Sequence, residues 1–246
     1  DVVKTDGKYI YQVNGHRIVV AKAYPADSLK VVSTVSYNGK NFSPQEIYID
    51  EKHMVVIGSC HIDIPICEPG VSEAPERCPP PYHRSIVKAV VYDISDKKNI
   101  KQLREVELEG HYVSSRKIGS TLYLVSNKDI HRWVMQRYYD NKYVKEAMSE
   151  EVRGVDAATV KKYVDLMMMP SYRDTAAGDD FVQVGYKNIH YFPDSVQANY
   201  MVVAAVNLDK MKEKADISTY LGSGQNIYSS QNNLYVAVTE YNYNVQ

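Results

Sequence analysis

The chain has no excess of either charge and no long apolar run. Its 246 residues carry 29 Lys and Arg against 30 Asp and Glu, which gives a formal net charge of -1. A dedicated nucleic-acid surface needs a basic excess, so we do not expect a nucleic-acid partner. No uninterrupted apolar segment approaches the roughly 20 residues that a helix needs to cross a bilayer, so no membrane-spanning segment is expected.

Cysteine is scarce, and its three positions lie close together. Cys60, Cys67 and Cys78 all fall in one Pro-rich segment. Cys67 and Cys78 bracket a loop, and in an oxidising compartment we predict a disulfide between them, with Cys60 left over. The alternative is three free thiols. His61 and His83 lie near these cysteines, but the spacings match no zinc template, so no metal site is predicted.

The motifs of nucleophilic catalysis are missing as well. Two Ser-x-x-Lys sequences occur, at residues 95–98 and 114–117. In serine enzymes with that motif the Ser opens a helix and the Lys lies one turn away, whereas both sequences here fall in strand and turn patterns. The Gly-Ser-Gly at residues 222–224 is not a nucleophile elbow, which needs G-x-S-x-G between a strand and a helix. The sequence therefore predicts no catalytic residue and no cofactor-binding residue.

One acidic cluster could suggest calcium. Asp174, Asp179 and Asp180 surround Gly178, but they lack the alternating oxygen ligands of an EF-hand loop. We predict that all three aspartates belong to a solvated surface loop.

What the chain does contain is a repeated unit, in which a short polar or glycine turn precedes an alternating apolar strand. Such a recurring strand unit, at a spacing near that of propeller blades, indicates a repeat architecture. Tyrosine is abundant, with 22 residues against 3 Phe, which is typical of strands that are apolar on one side and wet at the hydroxyl. Some of these tyrosines could instead line a ligand groove. The four copies are DGKYIY at residues 6–11, DEKHMVVI at 50–57, IGSTLYLV at 118–125 and QNNLYVAV at 231–238.

The repeats predict an all-β chain. We expect four-stranded antiparallel sheets at residues 2–35, 46–108 and 111–220, followed by two strands of a fourth unit at 226–229 and 234–239. Four-stranded antiparallel units in series make a β-propeller, so the prediction is a partial propeller of about three and a half blades spanning residues 1–246.

Two inserts interrupt the predicted blades. A Cys/Pro-rich loop is expected at residues 60–82 and a partly helical insert at residues 128–190. Within the second insert, residues 149–169 carry helical periodicity, Asp156 is a suitable N-cap, and Pro170 ends the helix. We expect this small helical insert to lie outside the blades and to pack its apolar face on a blade edge or on a neighbouring chain.

The last predicted strand has no partner for its outer edge within the chain. Unpaired strand edges invite association, and an uncovered blade face exposes apolar surface. We therefore expect the native protein to continue beyond Gln246 with blades that close the ring, and we expect the isolated 246-residue piece to self-associate.

The strand sequences resemble a family of secreted bacterial β-propeller proteins that are distantly related to WD-repeat proteins. The resemblance covers most of the chain outside the two inserts, although the Trp-Asp and Gly-His signatures of ordinary WD repeats are absent. It implies a secreted or surface-anchored protein, and it implies no catalytic activity. The segments that carry it are DVVKTDGKYIY (residues 1–11), VYDIS (91–95), GHYVSSRKIG (110–119), YFPDS (191–195) and YLGSGQNIY (220–228).

The sequence favours a secreted or cell-surface binding or scaffold module. A propeller presents loops on two rigid faces, and loops on a rigid frame are where recognition usually occurs. The inserts at 60–82 and 128–190 are the expected recognition elements, and the expected partner is an extracellular protein or a glycan. Two alternatives remain: an extracellular enzyme with its site in the propeller channel, and a structural spacer that binds no ligand.

Overall fold

Strands form most of the structure, a computed structural model that describes residues 1–65, 81–130, 164–191, 198–222, 226–230 and 233–237. The strands of this part are β1 Val3–Thr5, β2 Tyr9–Val13, β3 Arg17–Lys22, β4 Lys30–Ser36, β5 Ser43–Ile49, β6 His53–Ile64, β7 Tyr82–Asp93, β8 Lys101–Glu109, β9 His111–Ile118, β10 Thr121–Asp129, β11 Ser171–Asp174, β12 Val182–Gln183, β13 Ile189–Tyr191, β14 Asn199–Asn207, β15 Asp216–Leu221, β16 Asn226–Ser229 and β17 Leu234–Ala237. Residues 164–168 are α-helical, and short 3-10 turns occur at Ala26–Ser28 and Tyr186–Asn188.

Three successive antiparallel meanders and a hairpin follow one another along the chain. Blade 1 has the strand order β1-β2-β3-β4, blade 2 is built on β5-β6-β7-β8, and blade 3 is built on β9-β10-β14-β15. The hairpin β16-β17 begins a fourth unit. This order confirms the prediction of a partial propeller with about three and a half blades.

The turns of the repeat are held by aspartate side chains. In blade 1 the Oδ1 atom of Asp6 accepts hydrogen bonds from the backbone N–H groups of Lys8 and Tyr9, at 3.0 and 2.8 Å. In blade 2 the Oδ1 atom of Asp50 accepts hydrogen bonds from the N–H groups of Lys52 and His53, at 3.0 and 2.7 Å. A short carboxylate that satisfies two backbone donors favours a tight turn, and this explains why aspartate begins two of the four copies of the turn-strand motif.

Blades 2 and 3 are larger than the sequence predicted. Strands β11 and β12 extend blade 2 beyond β8, and β13 pairs in parallel with β15 at the outer edge of blade 3. β11 and β12 lie within the predicted insert at 128–190, and β13 ends one residue beyond it. Without β11 and β13 the outer edges of β8 and β15 would present unpaired backbone groups, and the added strands satisfy these groups.

The first insert is also shorter than predicted at its ends. Strand β6 continues to Ile64 and β7 begins at Tyr82, so residues 60–64 and residue 82 of the predicted insert are paired with each other's strands. Of the helix predicted at 149–169, residues 164–168 are helical and the part before residue 164 lies outside the described residues. The helical Leu166 and Met167 pack with Ile64 and Tyr82 at the ends of β6 and β7.

The hydrophobic core lies in two layers between adjacent blades. Alternate residues of β6 point to opposite faces, because successive side chains of a strand alternate. Met54 and Val56 join the layer between blades 1 and 2, whereas Val55 and Ile57 join the layer between blades 2 and 3.

Both predicted inserts leave the sheets at the same end. In an antiparallel meander, successive connections alternate between the two ends of the sheet. The connections β4–β5, β6–β7, β8–β9 and β10–β14 therefore lie at one end, which we call the insert face.

Candidate functional site

Two adjoining clefts open near the insert face and form the candidate site. Cleft 1, about 470 Å³, lies on the side of blade 2 that faces blade 1, beside the β4–β5 connection. Cleft 2, about 450 Å³, lies on the other side of β6, beside the start of β9. The two clefts share Asn41, Cys60 and His61, and the Asn41 side-chain amide donates a hydrogen bond to the His61 carbonyl where they meet. We refer to the two adjoining clefts together as the insert-face groove.

A row of alternating charges forms the floor of cleft 1. The strand register places Lys88 of β7 opposite Glu107 of β8, and Glu107 opposite Arg173 of β11. Lys88 Nζ lies 2.6 Å from Glu107 Oε1, and Arg173 Nε donates to Glu107 Oε2 at 2.6 Å. Glu105 lies beside the row, where its Oε2 accepts from Arg173 Nη2 at 2.7 Å. Each charged group is thus held in place by a partner of opposite sign before any ligand arrives.

The environment keeps these groups ionised. Burial alone would raise the pKa of Glu107, but the hydrogen bonds from Arg173 and Lys88 outweigh burial and lower it below the usual range. Burial likewise opposes the charge of Lys88, and the Glu107 carboxylate outweighs that effect and raises the Lys88 pKa. The row therefore presents fixed donors and fixed acceptors at neutral pH.

A glycine shapes the wall above this row. Gly58 of β6 is the strand neighbour of Lys88, and a Cβ atom at Gly58 would lie 2.1 Å from the Ser43 carbonyl oxygen and 2.9 Å from the Phe42 ring. Only glycine permits so close an approach. The Phe42 ring packs into the space and lies 6.0 Å from Lys88 Nζ, measured to the ring centroid.

Phe181 supplies apolar surface at the outer end of cleft 1. The ring is half-buried and belongs to the segment between β11 and β12. The guanidinium carbon of Arg84 lies 4.7 Å from the ring centroid and that of Arg173 lies 6.0 Å from it. These two cations hold the ring by cation–π attraction.

Cleft 2 is polar without being charged. Among the described residues that line it there is no Asp, Glu, Lys or Arg. Its polar side chains are hydroxyls, amides and imidazoles, and the Gln45 amide donates to the Ser59 hydroxyl at 3.0 Å. Groups of these types can all donate and accept hydrogen bonds. They are Asn41, Ser43, Gln45, Ser59, His61, Ser85, His111 and Tyr112.

Cys60, which lines both clefts, is a buried free thiol. Burial raises the pKa of Cys60 to about 11. The thiolate is the reactive form of cysteine, so the raised pKa disfavours a nucleophilic role of Cys60 at neutral pH.

A second buried cluster fastens the long insert to the blades behind the groove. Glu109 Oε1 accepts from Lys128 Nζ at 2.7 Å and from the Tyr82 hydroxyl at 2.6 Å, and Glu109 Oε2 accepts from the Ser171 hydroxyl at 2.6 Å. Lys128 Nζ also donates to the carbonyls of Leu166 and Met169. Blades 2 and 3 and the start of β11 are thereby joined through one carboxylate and one ammonium group.

Asp174 corrects a prediction, because it is buried and not part of a solvated loop. Its carboxylate accepts two hydrogen bonds from Arg104, from Nε at 2.8 Å and from Nη2 at 2.6 Å, and the two side chains are 2% and 1% exposed. The backbone N–H groups of Ala215 and Ala176 also donate to it. Sequence reasoning placed Asp174 in a loop because it did not predict β11. Asp179 and Asp180 are exposed, as predicted.

The inner strands carry one polar cluster between blades 2 and 3, but it does not form a catalytic arrangement. Glu46 Oε2 accepts hydrogen bonds from the Ser115 hydroxyl and the Tyr112 hydroxyl, both at 2.9 Å. Burial would raise the pKa of Glu46, but these hydrogen bonds outweigh it and lower the pKa. Ser115 is 1% exposed, so a substrate has no access to its hydroxyl.

The remaining motifs fall where the sequence placed them or outside the described residues. Ser114 and Lys117 lie in β9, where the Ser-x-x-Lys geometry of a helix is absent. Residues 95–98 follow β7 in a turn. The predicted partners Cys67 and Cys78 lie outside the described residues, so their disulfide stays a prediction.

The described part of the chain shows neither a metal site nor a membrane-spanning helix. In that part, no group of three or more His, Cys, Asp or Glu side chains is arranged to hold a metal ion. The helical structure of that part contains nothing with the length and apolar character that a bilayer span requires.

Sequence reasoning missed the charged row, although β8 carries a signal for it. Glu105, Glu107 and Glu109 alternate along β8, so they share one face. That face of a middle blade adjoins another blade, where unpaired carboxylates would be unfavourable. Three alternating glutamates therefore indicate nearby cations, and the structure supplies them from β7, β10 and β11.

Comparison with known proteins agrees with this architecture. The model of a family described as "Beta propeller domain" matches residues 1–246. A search of curated proteins found no match, and a search of solved structures found none. The distant relation to WD-repeat proteins stays a prediction. Since the family model spans the whole chain and the sheets are successive antiparallel meanders, the chain belongs to the beta-propeller domain family.

Proposed function

We propose that this chain is a secreted or cell-surface binding module whose ligand occupies the insert-face groove. The family match shows the propeller scaffold. The single observation that supports a bound ligand is the insert-face groove, with its clefts of about 470 and 450 Å³ beside the two predicted inserts. Pre-formed concave sites with a few fixed polar groups are where proteins bind small or extended ligands.

The charged row supports binding in preference to a purely structural role. Lys88, Glu107 and Arg173 are already ordered by their mutual contacts, so a ligand does not have to immobilise them. Pre-organisation of this kind reduces the entropy lost on association. A spacer without a ligand would gain more stability from apolar side chains on this face, because buried ion pairs contribute little net stability.

A ligand screen on a blocked groove tests the proposal. Ser85, half-buried in the wall of cleft 2, is replaced by Trp to fill the cleft, and the exposed Thr34 of β4 is replaced by Trp as the matched control. The wild type and both variants are screened by thermal shift against neutral oligosaccharides, acidic oligosaccharides, peptides and nucleotides. We expect at least one class to raise the melting temperature of the wild type and of Thr34→Trp but not of Ser85→Trp. Stabilisation that survives in Ser85→Trp, or no stabilisation by any class, contradicts the proposal.

Localisation needs its own measurement. The resemblance of the strand sequences to secreted propellers and the expected Cys67–Cys78 disulfide support an extracellular location. Immunoblots of culture supernatant, surface-shaved material and cytosol from the native cell are the test. We expect the protein in the first two fractions, and its confinement to the cytosol contradicts this part of the proposal.

A further inference from the structure

The insert-face groove has no net charge, although half of it is densely charged. Cleft 2 contains no charged side chain among its described lining residues. In cleft 1 the acidic and basic side chains are equal in number, three of each: Glu105, Glu107 and Asp179 against Lys40, Lys88 and Arg173. A ligand with a large net charge gains nothing from such a surface, since complementarity requires an excess of the opposite sign.

The hydrogen-bonding groups of cleft 2 suit a ligand rich in hydroxyl groups. Hydroxyl, amide and imidazole side chains donate and accept, as sugar hydroxyls do. No hydrogen bond to the side chain of Ser43, Ser85 or His111 occurs within the described part of the chain, so these groups are open to a ligand. Cleft 1 adds fixed donors from Lys88 and Arg173, and the half-buried Phe181 adds apolar surface.

The strand pairing argues against an extended peptide in cleft 1. A peptide that binds by strand addition needs an open sheet edge. The strands that form the floor of cleft 1 are paired on both sides, β6 with β5 and β7, β7 with β6 and β8, and β8 with β7 and β11. Cleft 2 is flanked by the edge strands β5 and β9, so a sugar there is supported by the hydrogen-bonding groups of the cleft and not by its strand pairing.

We propose that the ligand of the insert-face groove is a neutral oligosaccharide that extends across both clefts. This inference rests on the proposed function and names the ligand class of the same site. The two clefts share the lining residues Asn41, Cys60 and His61, so an oligosaccharide longer than cleft 2 would pass these residues to reach the charged row of cleft 1.

Calorimetric titration of the full 246-residue chain with defined probes tests the ligand class. The probes are neutral tetrasaccharides of glucose, mannose and N-acetylglucosamine, a sulfated tetrasaccharide, and a neutral Ser/Thr/Gln-rich hexapeptide with blocked termini. At least one neutral tetrasaccharide is expected to bind, and raising NaCl from about 50 mM to about 500 mM is expected to leave its affinity unchanged, since screening acts on charges.

Two histidine variants locate the binding. His111 lines cleft 2 and is exposed, and His190 is exposed outside both clefts, so His190→Ala is the matched control for His111→Ala. Loss of one hydrogen-bonding group is expected to weaken tetrasaccharide binding about fivefold in His111→Ala and to leave His190→Ala unchanged. Circular dichroism melts establish that both variants are folded. Equal affinity in His111→Ala and the wild type would overturn the placement of the ligand.

The other outcomes separate this inference from the proposed function. Binding of the sulfated probe or the peptide, abolished in Ser85→Trp while neutral tetrasaccharides do not bind, overturns the ligand class and leaves the binding function intact. Absence of any binding that is sensitive to Ser85→Trp overturns both.

Discussion

Replacing Asp174 by Asn would leave Arg104 as a buried cation without a counter-charge. In the native protein the Asp174 carboxylate accepts two hydrogen bonds from Arg104 and one from the backbone N–H of Ala215, at 2.7 Å. An Asn side chain offers a single oxygen, and its amide N–H groups would face donors. Among the described residues, Arg104 Nη1 already has no hydrogen-bond partner and is buried, so loss of the Asp174 charge would leave the guanidinium poorly compensated.

The structure sets the size of the effect. Both side chains are almost completely inaccessible to water, 1% for Arg104 and 2% for Asp174. Breaking a buried pair by removing one charge lowers the free energy of unfolding by about 3–5 kcal/mol. A typical domain is stable by only ~5–15 kcal/mol, so this is a large fraction of the total. We also expect β11 to loosen from β8, because Asp174 ends β11 and contacts both β8 and the segment before β15.

Urea denaturation followed by far-UV circular dichroism and by tyrosine fluorescence is the assay. Coincident transitions with the two probes establish two-state unfolding. With a slope of roughly 3 kcal/mol per molar urea, Asp174→Asn is expected to lower the midpoint by about 1 M or more. Asp180→Asn is the matched control, because Asp180 is exposed nearby, and an exposed change is expected to stay within about 0.5 kcal/mol.

A double-mutant cycle isolates the ion pair from the backbone contacts of Asp174. Arg104→Met combined with Asp174→Asn removes the orphaned cation, so the double variant is expected to recover about 2 kcal/mol relative to the sum of the single changes. A midpoint for Asp174→Asn within about 0.2 M of the wild type, or strict additivity in the cycle, would refute the reasoning.

Three other predictions concern a close backbone approach, a titration and a disulfide. Gly110→Ala is expected to lower the free energy of unfolding by more than about 3 kcal/mol in urea denaturation, because a Cβ atom there would lie 2.3 Å from the Asn127 carbonyl oxygen at a φ of +116°. The control Gly119→Ala, with a φ of +57° and open space around the Cβ position, should lose only about 1–2 kcal/mol. Equal losses in the two variants would contradict this. The pKa of Glu107 is lowered in the folded state, so its ionised carboxylate stabilises the fold at pH values above its ordinary pKa of 4.5. This stabilisation disappears as the pH falls through the folded pKa, so the difference in stability between the wild type and Glu107→Gln should shrink in melts below about pH 4.5. A difference that stays constant with pH would refute the assignment. Non-reducing peptide mapping of the protein isolated from its native cell should find Cys67 linked to Cys78, and free thiols at both positions would end that prediction.

The blade pattern could be read from the sequence because it depends on local chemistry. Alternating side chains define each strand, and aspartates such as Asp6 and Asp50 define the turns through hydrogen bonds to backbone groups two and three residues away. These patterns span only a few residues, so they are recognisable in the sequence without knowledge of the tertiary structure. The family match and the order of the sheets confirm the propeller that follows from them.

The candidate site depended on contacts between distant parts of the chain. Arg173 lies far from Glu107 in sequence, and the pair exists only because β11 returns from the long insert and adds to the edge of β8. β11 has four residues and β12 has two, and such short segments carry too little periodicity to be distinguished from a loop. Only the tertiary structure could therefore decide that Asp174 is buried.

The sequence by itself determined that this chain is a series of antiparallel blades, because strand alternation and turn chemistry are local properties. The tertiary structure decided that the long insert adds strands to blades 2 and 3, and that Lys88, Glu107 and Arg173 form one charged row. It also decided that the two clefts meet at Asn41 and His61. In each case a segment distant in sequence pairs with an open sheet edge or neutralises a buried carboxylate. Such contacts form only when the whole chain is packed, so local sequence patterns do not predict them.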